Sequence, residues 1–233
     1  QLMSDNKARE KRVERATLRV LFRVPFFAPA VARLPITFQD GIGTACTDGH
    51  GIKMDPAFVD TLSDDQLVTL ICHETAHPLL GHLWRAPEAA KADQASWDNW
   101  NKACDHAVNL MLKDFSKLVM GRDKVADPFP FPDPPEAYCA NPAFAGMAEE
   151  TIFNILNSEK GGGGGSGNAP GQSGGVSGQP SSGKAPGTKP GKQQSGKKGQ
   201  GGSSTMPDFG QFEQPTAALD QSSQKKLRND WEG

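Results

Sequence analysis

Near the N-terminus, apolar residues recur every three or four positions among charged ones, at Val13, Ala16, Val20 and Leu21. That spacing predicts a helix over 5–22, ended by Pro25. The period then shortens. Leu34–Phe38, Thr44–Thr47 and Gly51–Met54 read as short strands, with Asp48-Gly49 as the hairpin turn between the last two. Pro56–Leu62 predicts a short helical turn. Ser63 opens a longer helix, because Ser63-Asp64-Asp65-Gln66 is a capping box and its two acids suit the positive end of the helix dipole. Apolar positions Leu67, Leu70, Ile71, Leu79, Leu80 and Leu83 carry this helix through Trp84, and Ala86-Pro87 ends it. A further helix is predicted from Ser96 to about Lys117, through Trp100, Ala103, Ala107, Val108, Met111 and Leu112. Residues 126–144 hold six prolines and read as an extended loop, and Glu149–Asn157 reads as a last short helix.

Beyond Lys160 the periodicity stops. Seventeen of the 26 glycines lie between Gly161 and Gly202, and residues 161–204 carry five lysines and no acid. Such a stretch cannot bury a core, so 159–204 reads as a disordered Gly/Ser/Pro/Lys linker. Two stretches inside it, Gly178–Ala185 and Gly191–Lys198, imitate a phosphate loop but lack its Ser/Thr and its strand-to-helix setting. Residues 5–158 form the domain, large enough for a hydrophobic core without staples. Residues 205–233 form a short, truncated-looking C-terminal segment with a helix-like start at Ser222–Arg228, a candidate contact for a protein partner.

The net charge of −2 excludes a strongly basic nucleic-acid binder. No apolar run approaches the ~18 residues of a membrane span. Arg19, Arg23 and Arg33 break the most apolar early stretch, and no secretory leader is evident. The expectation is a cytoplasmic protein with no nucleic-acid or membrane partner. Cys46, Cys72, Cys104 and Cys139 contain no C-x-x-C pair, so they read as buried small side chains rather than a zinc knuckle or disulfides.

His73-Glu74-Thr75-Ala76-His77 changes the picture. It is H-E-x-x-H inside the capped helix. Histidines at i and i+4 share one face and can converge on one Zn²⁺. Glu74 is offset by about 100° from His73, which lets it reach a water on the metal rather than the metal itself. That is the arrangement of a zinc hydrolase, in which zinc lowers the pKa of water and a carboxylate takes its proton. Pro78 follows directly and predicts a local kink.

A third ligand is needed. Leu80 and Leu83 stand where a metzincin would have glycine and histidine. On a straight helix His82 points about 180° away from His73, so it reads as a supporting or packing residue. The next helix offers Asp105 among Ala103, Cys104 and Ala107, and a carboxylate on so apolar a helix needs a strong partner. Asp105 therefore ranks first as third ligand, with His106 as the alternative. His50 reads as a surface turn residue, and Tyr138, the sole tyrosine, as a packing group.

Several stretches together resemble a known family, the "putative metallopeptidase domain" that often precedes a von Willebrand factor A-like domain in bacterial and phage proteins. They are Pro25–Phe27, Thr44–Gly49, Asp55–Val59 through His73–His77, Gly81–Arg85, Trp100–Asp105, Ala107–Asn109 and Gly146–Glu150. The resemblance implies an α+β zincin-like fold, a small sheet packed on helices that include the H-E-x-x-H helix. It implies His73, His77 and Asp105 as ligands and Glu74 as catalytic acid/base. The chain departs from the family at Pro78, and at His106 where tyrosine is common.

The leading expectation is a zinc-dependent peptidase whose peptide or protein substrate lies extended along Thr44–Met54. A zinc-stabilised protein-binding module with little turnover is the alternative, and a zinc hydrolase of a non-peptide amide is a third. A site closed by both Asp105 and His106 would favour the binding module.

Overall fold

A computed structural model describes residues 2–123, 126–133, 138–161, 211–212 and 221–233. They fall within one compact unit made of Gln1–Gly161 and Thr205–Gly233. The predicted linker lies, beyond Gly161, outside the described residues. So do both phosphate-loop lookalikes and most of 205–220.

The fold is α+β, mostly helical with one small sheet. Helix α1 (Leu2–Arg23) turns Val13, Ala16 and Val20 inward and packs along α4 (Asp64–Leu79). Three arginines of α1 hold the start of α4: Arg12 and Arg15 reach Asp64 at 2.8 and 3.5 Å, and Arg19 pairs with Asp65. The two acids thus serve as anchors for α1 as well as complements to the helix dipole. These pairs are exposed and orient the helices more than they stabilise them.

After the short α2 (Ala28–Val31), strands β1 (Ile36–Phe38), β2 (Ala45–Thr47) and β3 (Ile52–Met54) form the sheet. Each is shorter than the periodicity predicts. β3 is central, parallel to β1 and antiparallel to β2. The hairpin turn forms as expected: Gly49 has φ +82°, and the Asp48 carboxylate accepts from the His50 and Gly51 amides at 2.8 and 3.0 Å. On its outer edge β2 pairs with β4 (Gln211–Phe212), in parallel, so that Cys46 faces Gln211 and Thr47 faces Phe212. The Cα atoms of β4 also come within 8 Å of α4 and α6.

α3 (Pro56–Thr61) leads from the sheet to α4, which begins at the predicted box: Ser63 Oγ accepts from the Gln66 amide, and Gln66 Oε1 from the Ser63 amide. It does not run to Trp84. Pro78 removes one amide donor from the last turn, and Gly81 adopts φ +74°, so the chain breaks and restarts as α5 (His82–Arg85). A side chain at Gly81 would press a Cβ to 2.9 Å from Trp84 Nε1 and 3.0 Å from Arg85 Cδ. Glycine is required there on both counts. α6 (Gln94–Asp123) starts earlier and runs longer than predicted, and α7 (Glu149–Gly161) packs against it.

The proline-rich loop crosses α4 and α6 and is pinned to them. Thr69 Oγ1 donates to the Pro130 carbonyl at 2.9 Å, and Asn109 Nδ2 donates to the Cys139 carbonyl at 2.9 Å. All four cysteines are thiols outside any disulfide; Cys46, Cys72 and Cys104 are buried and Cys139 is half-buried. Burial pushes the Cys72 and Cys104 thiols up, so both act as small apolar groups.

The helix-like start at Ser222–Arg228 is part of α8 (Gln221–Glu232). Leu227 is buried in the cluster formed by Leu83, Trp97, Trp100, Ile152 and Phe153. It rests on Gly49, where a Cβ would lie 3.1 Å from Leu227 Cδ1. Trp231 Nε1 donates to the Gly49 carbonyl at 3.0 Å, and Arg33 lies 4.8 Å from the Trp231 ring centroid. Leu227→Ala is expected to lower stability by about 2–5 kcal/mol. A urea midpoint left unchanged would show that α8 contributes nothing to the core.

Candidate metal centre

α4 carries His73, Glu74 and His77, and α6 brings Asp105 against them. All four are closed off from solvent, with no side chain more than 1% exposed. The two imidazoles meet through Nε2 atoms 3.0 Å apart. Asp105 Oδ1 lies 3.4 Å from each of them. Among the described residues these three form a group whose donor atoms could hold one metal ion.

The far side of each ring fixes its tautomer. His73 Nδ1 lies 2.7 Å from Asn109 Oδ1. Asn109 Nδ2 donates to the Cys139 carbonyl, so its oxygen faces His73 and accepts. His73 Nδ1 is the donor, and Nε2 keeps a lone pair toward the centre. His77 turns its Nδ1 to His82 Nδ1 at 3.0 Å, and His82 Nε2 meets Glu149 Oε1 at 3.1 Å. The break at Gly81 makes this possible by swinging His82 back beneath His77. The straight-helix reading that sent His82 away fails for that reason.

Charge is distributed unevenly. Burial pulls the His73 pKa down, but the hydrogen bond and charge of Asp105, with the charge of Glu74, outweigh it and leave it raised. Burial holds His77 well below the ordinary histidine value, and the neighbouring His73 and His82 push the same way. Burial also lowers His82, against the pull of Glu149. The hydrogen bond from His82 holds the Glu149 carboxyl down to about 2, helped by the charge of Arg85.

His106 does not join the group. Its Nδ1 accepts from the Asn141 amide at 3.1 Å, its ring lies edge-on to Phe144 at 4.9 Å, and burial lowers its pKa to about 4. His50 is exposed on the hairpin turn. Tyr138 stacks on Phe131 at 4.6 Å, with Lys113 Nζ 4.7 Å from its ring centroid. Two residues at the centre had no role in the sequence reading. Asn109 stands four positions after Asp105, a spacing that puts it on the same helix face. Glu149 belongs to the stretch Gly146–Glu150 that helped carry the family resemblance.

The strand edge expected to take an extended substrate is not open. β3 has a partner on each side, and β4 takes the outer edge of β2. No described helix is long and apolar enough to cross a membrane.

A family model described as "Putative metallopeptidase domain" matches residues 8–228. No curated protein and no solved structure gives a significant match.

Proposed function

The chain belongs to the putative metallopeptidase domain family, and on that premise we propose that it is a zinc-dependent peptidase with a zincin-like centre. His73, His77 and Asp105 hold the ion through two Nε2 atoms and one carboxylate oxygen.

One observation carries this reading. Two ligand atoms about 2.0–2.1 Å from one zinc at the tetrahedral angle stand about 3.3 Å apart. The three separations here are 3.0, 3.4 and 3.4 Å. Two neutral imidazoles and a carboxylate are also a donor set typical of zinc sites with an open fourth position.

When bound there, zinc supplies a Lewis acid that polarises a carbonyl and makes water more acidic. Glu74 takes the proton of the attacking water and returns it to the leaving amine. Asn109 and His82 keep the two imidazoles in the tautomers that present Nε2. Peptides and proteins are the substrate class.

The test is metal content of the purified full chain, followed by hydrolysis of a mixed peptide library with and without a chelator. One zinc per chain, with cleavage lost on chelation and restored by zinc, is the expected result. A chain that binds no divalent metal would end the proposal.

The near-complete burial of all four residues favours a second reading, a metal-stabilised protein-binding module. It predicts tightly held metal with no cleavage of any library member.

A further inference from the structure

We propose that Glu149 is a positioning residue for the metal centre. It acts through His82 to hold His77 as a ligand, in a buried chain running carboxylate, imidazole, imidazole. This rests on the reading of His73, His77 and Asp105 as metal ligands.

Three contacts make the chain continuous: Glu149 Oε1 to His82 Nε2 at 3.1 Å, His82 Nδ1 to His77 Nδ1 at 3.0 Å, and His77 Nε2 facing His73 and Asp105. The proton order follows from the donor inventory. An ionised carboxylate only accepts, so His82 Nε2 carries the hydrogen. A neutral His82 then has only a lone pair on Nδ1. The Nδ1–Nδ1 contact needs one hydrogen, and it must come from His77. His77 Nε2 is left bare, turned toward the other two donors. Without that hydrogen two lone pairs would face each other across the Nδ1–Nδ1 contact, which costs free energy in a buried site. The lone pairs that do converge, on His73 Nε2 and His77 Nε2 beside the Asp105 carboxylate, are those a cation would take up.

Glu149 is itself held in place. Its second oxygen accepts from Arg85 Nη2 at 3.3 Å, while Arg85 Nη1 donates to the Leu80 carbonyl at 2.8 Å. It is the first residue of α7, where a negative charge suits the helix dipole. His82 is fixed from its backbone, since Trp100 Nε1 donates to its carbonyl at 3.1 Å. The two ligand imidazoles are thus supported differently. His73 has a neutral amide behind it, and His77 has a carboxylate one ring removed.

The experiment measures zinc affinity of the full chain by competition with a chelator of known affinity, beside the melting temperature of the metal-free protein. Glu149→Gln keeps the shape and loses the charge. It is expected to weaken zinc binding by about 10–100-fold, with the metal-free melting temperature little changed. His82→Asn retains a carbonyl that can accept from His77, as Asn109 does for His73, and is expected to lose less than His82→Leu. Glu150→Gln, which removes a neighbouring negative charge from Arg85 but not from the buried chain, is expected to bind as the parent does. If Glu149→Gln does not fold, the order of the two His82 variants decides. Parent-like affinity in Glu149→Gln, or equal losses in His82→Asn and His82→Leu, would overturn the positioning role. A parent protein that binds no zinc would instead overturn the metal-site reading beneath it.

Discussion

Glu74→Gln should abolish measurable peptide hydrolysis while leaving one zinc per chain. A positioned general base contributes about 10²–10⁴-fold in rate, and glutamine keeps the shape of the side chain but cannot take a proton. The three donor atoms at the centre belong to other residues, so metal content should not change. The two readouts therefore separate. Lost hydrolysis with retained metal places Glu74 in the chemistry. Lost metal would make Glu74 a ligand, and retained hydrolysis would remove it from the mechanism. Fold integrity matters because Glu74 is fully buried in the middle of α4. An unchanged far-ultraviolet spectrum of the metal-loaded variant controls for that.

Asp105→Ala should strip zinc more completely than any change behind the imidazoles. Removing a supporting partner costs about 10–100-fold in affinity; removing the carboxylate takes away one of three donors and the charge that offsets the cation. His106→Ala should bind zinc like the parent, because its ring lies against Phe144 and its Nδ1 serves the Asn141 amide. Chelator competition on both variants tests the pair. Loss in His106→Ala with retention in Asp105→Ala would reverse the ligand assignment. The metal-free Asp105→Ala protein carries a further signature. Without the carboxylate that raises it, the His73 pKa should fall, which proton NMR of the imidazole can follow.

What the sequence made legible was local. The start of α4 needed only Ser63, Gln66 and the apolar spacing behind them, and its two histidines followed from a four-residue interval. Asp105 stood out because a carboxylate on an apolar helix face needs a partner, and the structure brings it to 3.4 Å from both imidazoles. The end of α4 was not legible. Apolar residues continue past it, and the break depends on Pro78 together with Gly81, whose left-handed backbone and lack of room for a Cβ against Trp84 and Arg85 show only in three dimensions. The position of His82 fell with that boundary. Glu149 lies 67 residues from His82, and no periodicity relates them. The pairing of β2 with β4 was equally hidden, because parallel strands need a long connection and two residues carry no pattern of their own.

The return of α8 and β4 to the body also sets how the two ends of the chain depend on each other. They reach it across residues 162–204, so the C-terminal segment is a tethered ligand of the N-terminal one. Covalent connection makes their association intramolecular, at an effective concentration that the released piece would not have. A single peptide-bond cut there would change much, because it replaces the tethered concentration with the free concentration of the released piece. Once that concentration fell below the dissociation constant of the contact at Gly49 and Leu227, the piece would leave and take β4 with it. The outer edge of β2, alongside the two helices that bear the candidate metal centre, would then be exposed. The integrity of the chain between the two segments governs whether that edge is covered.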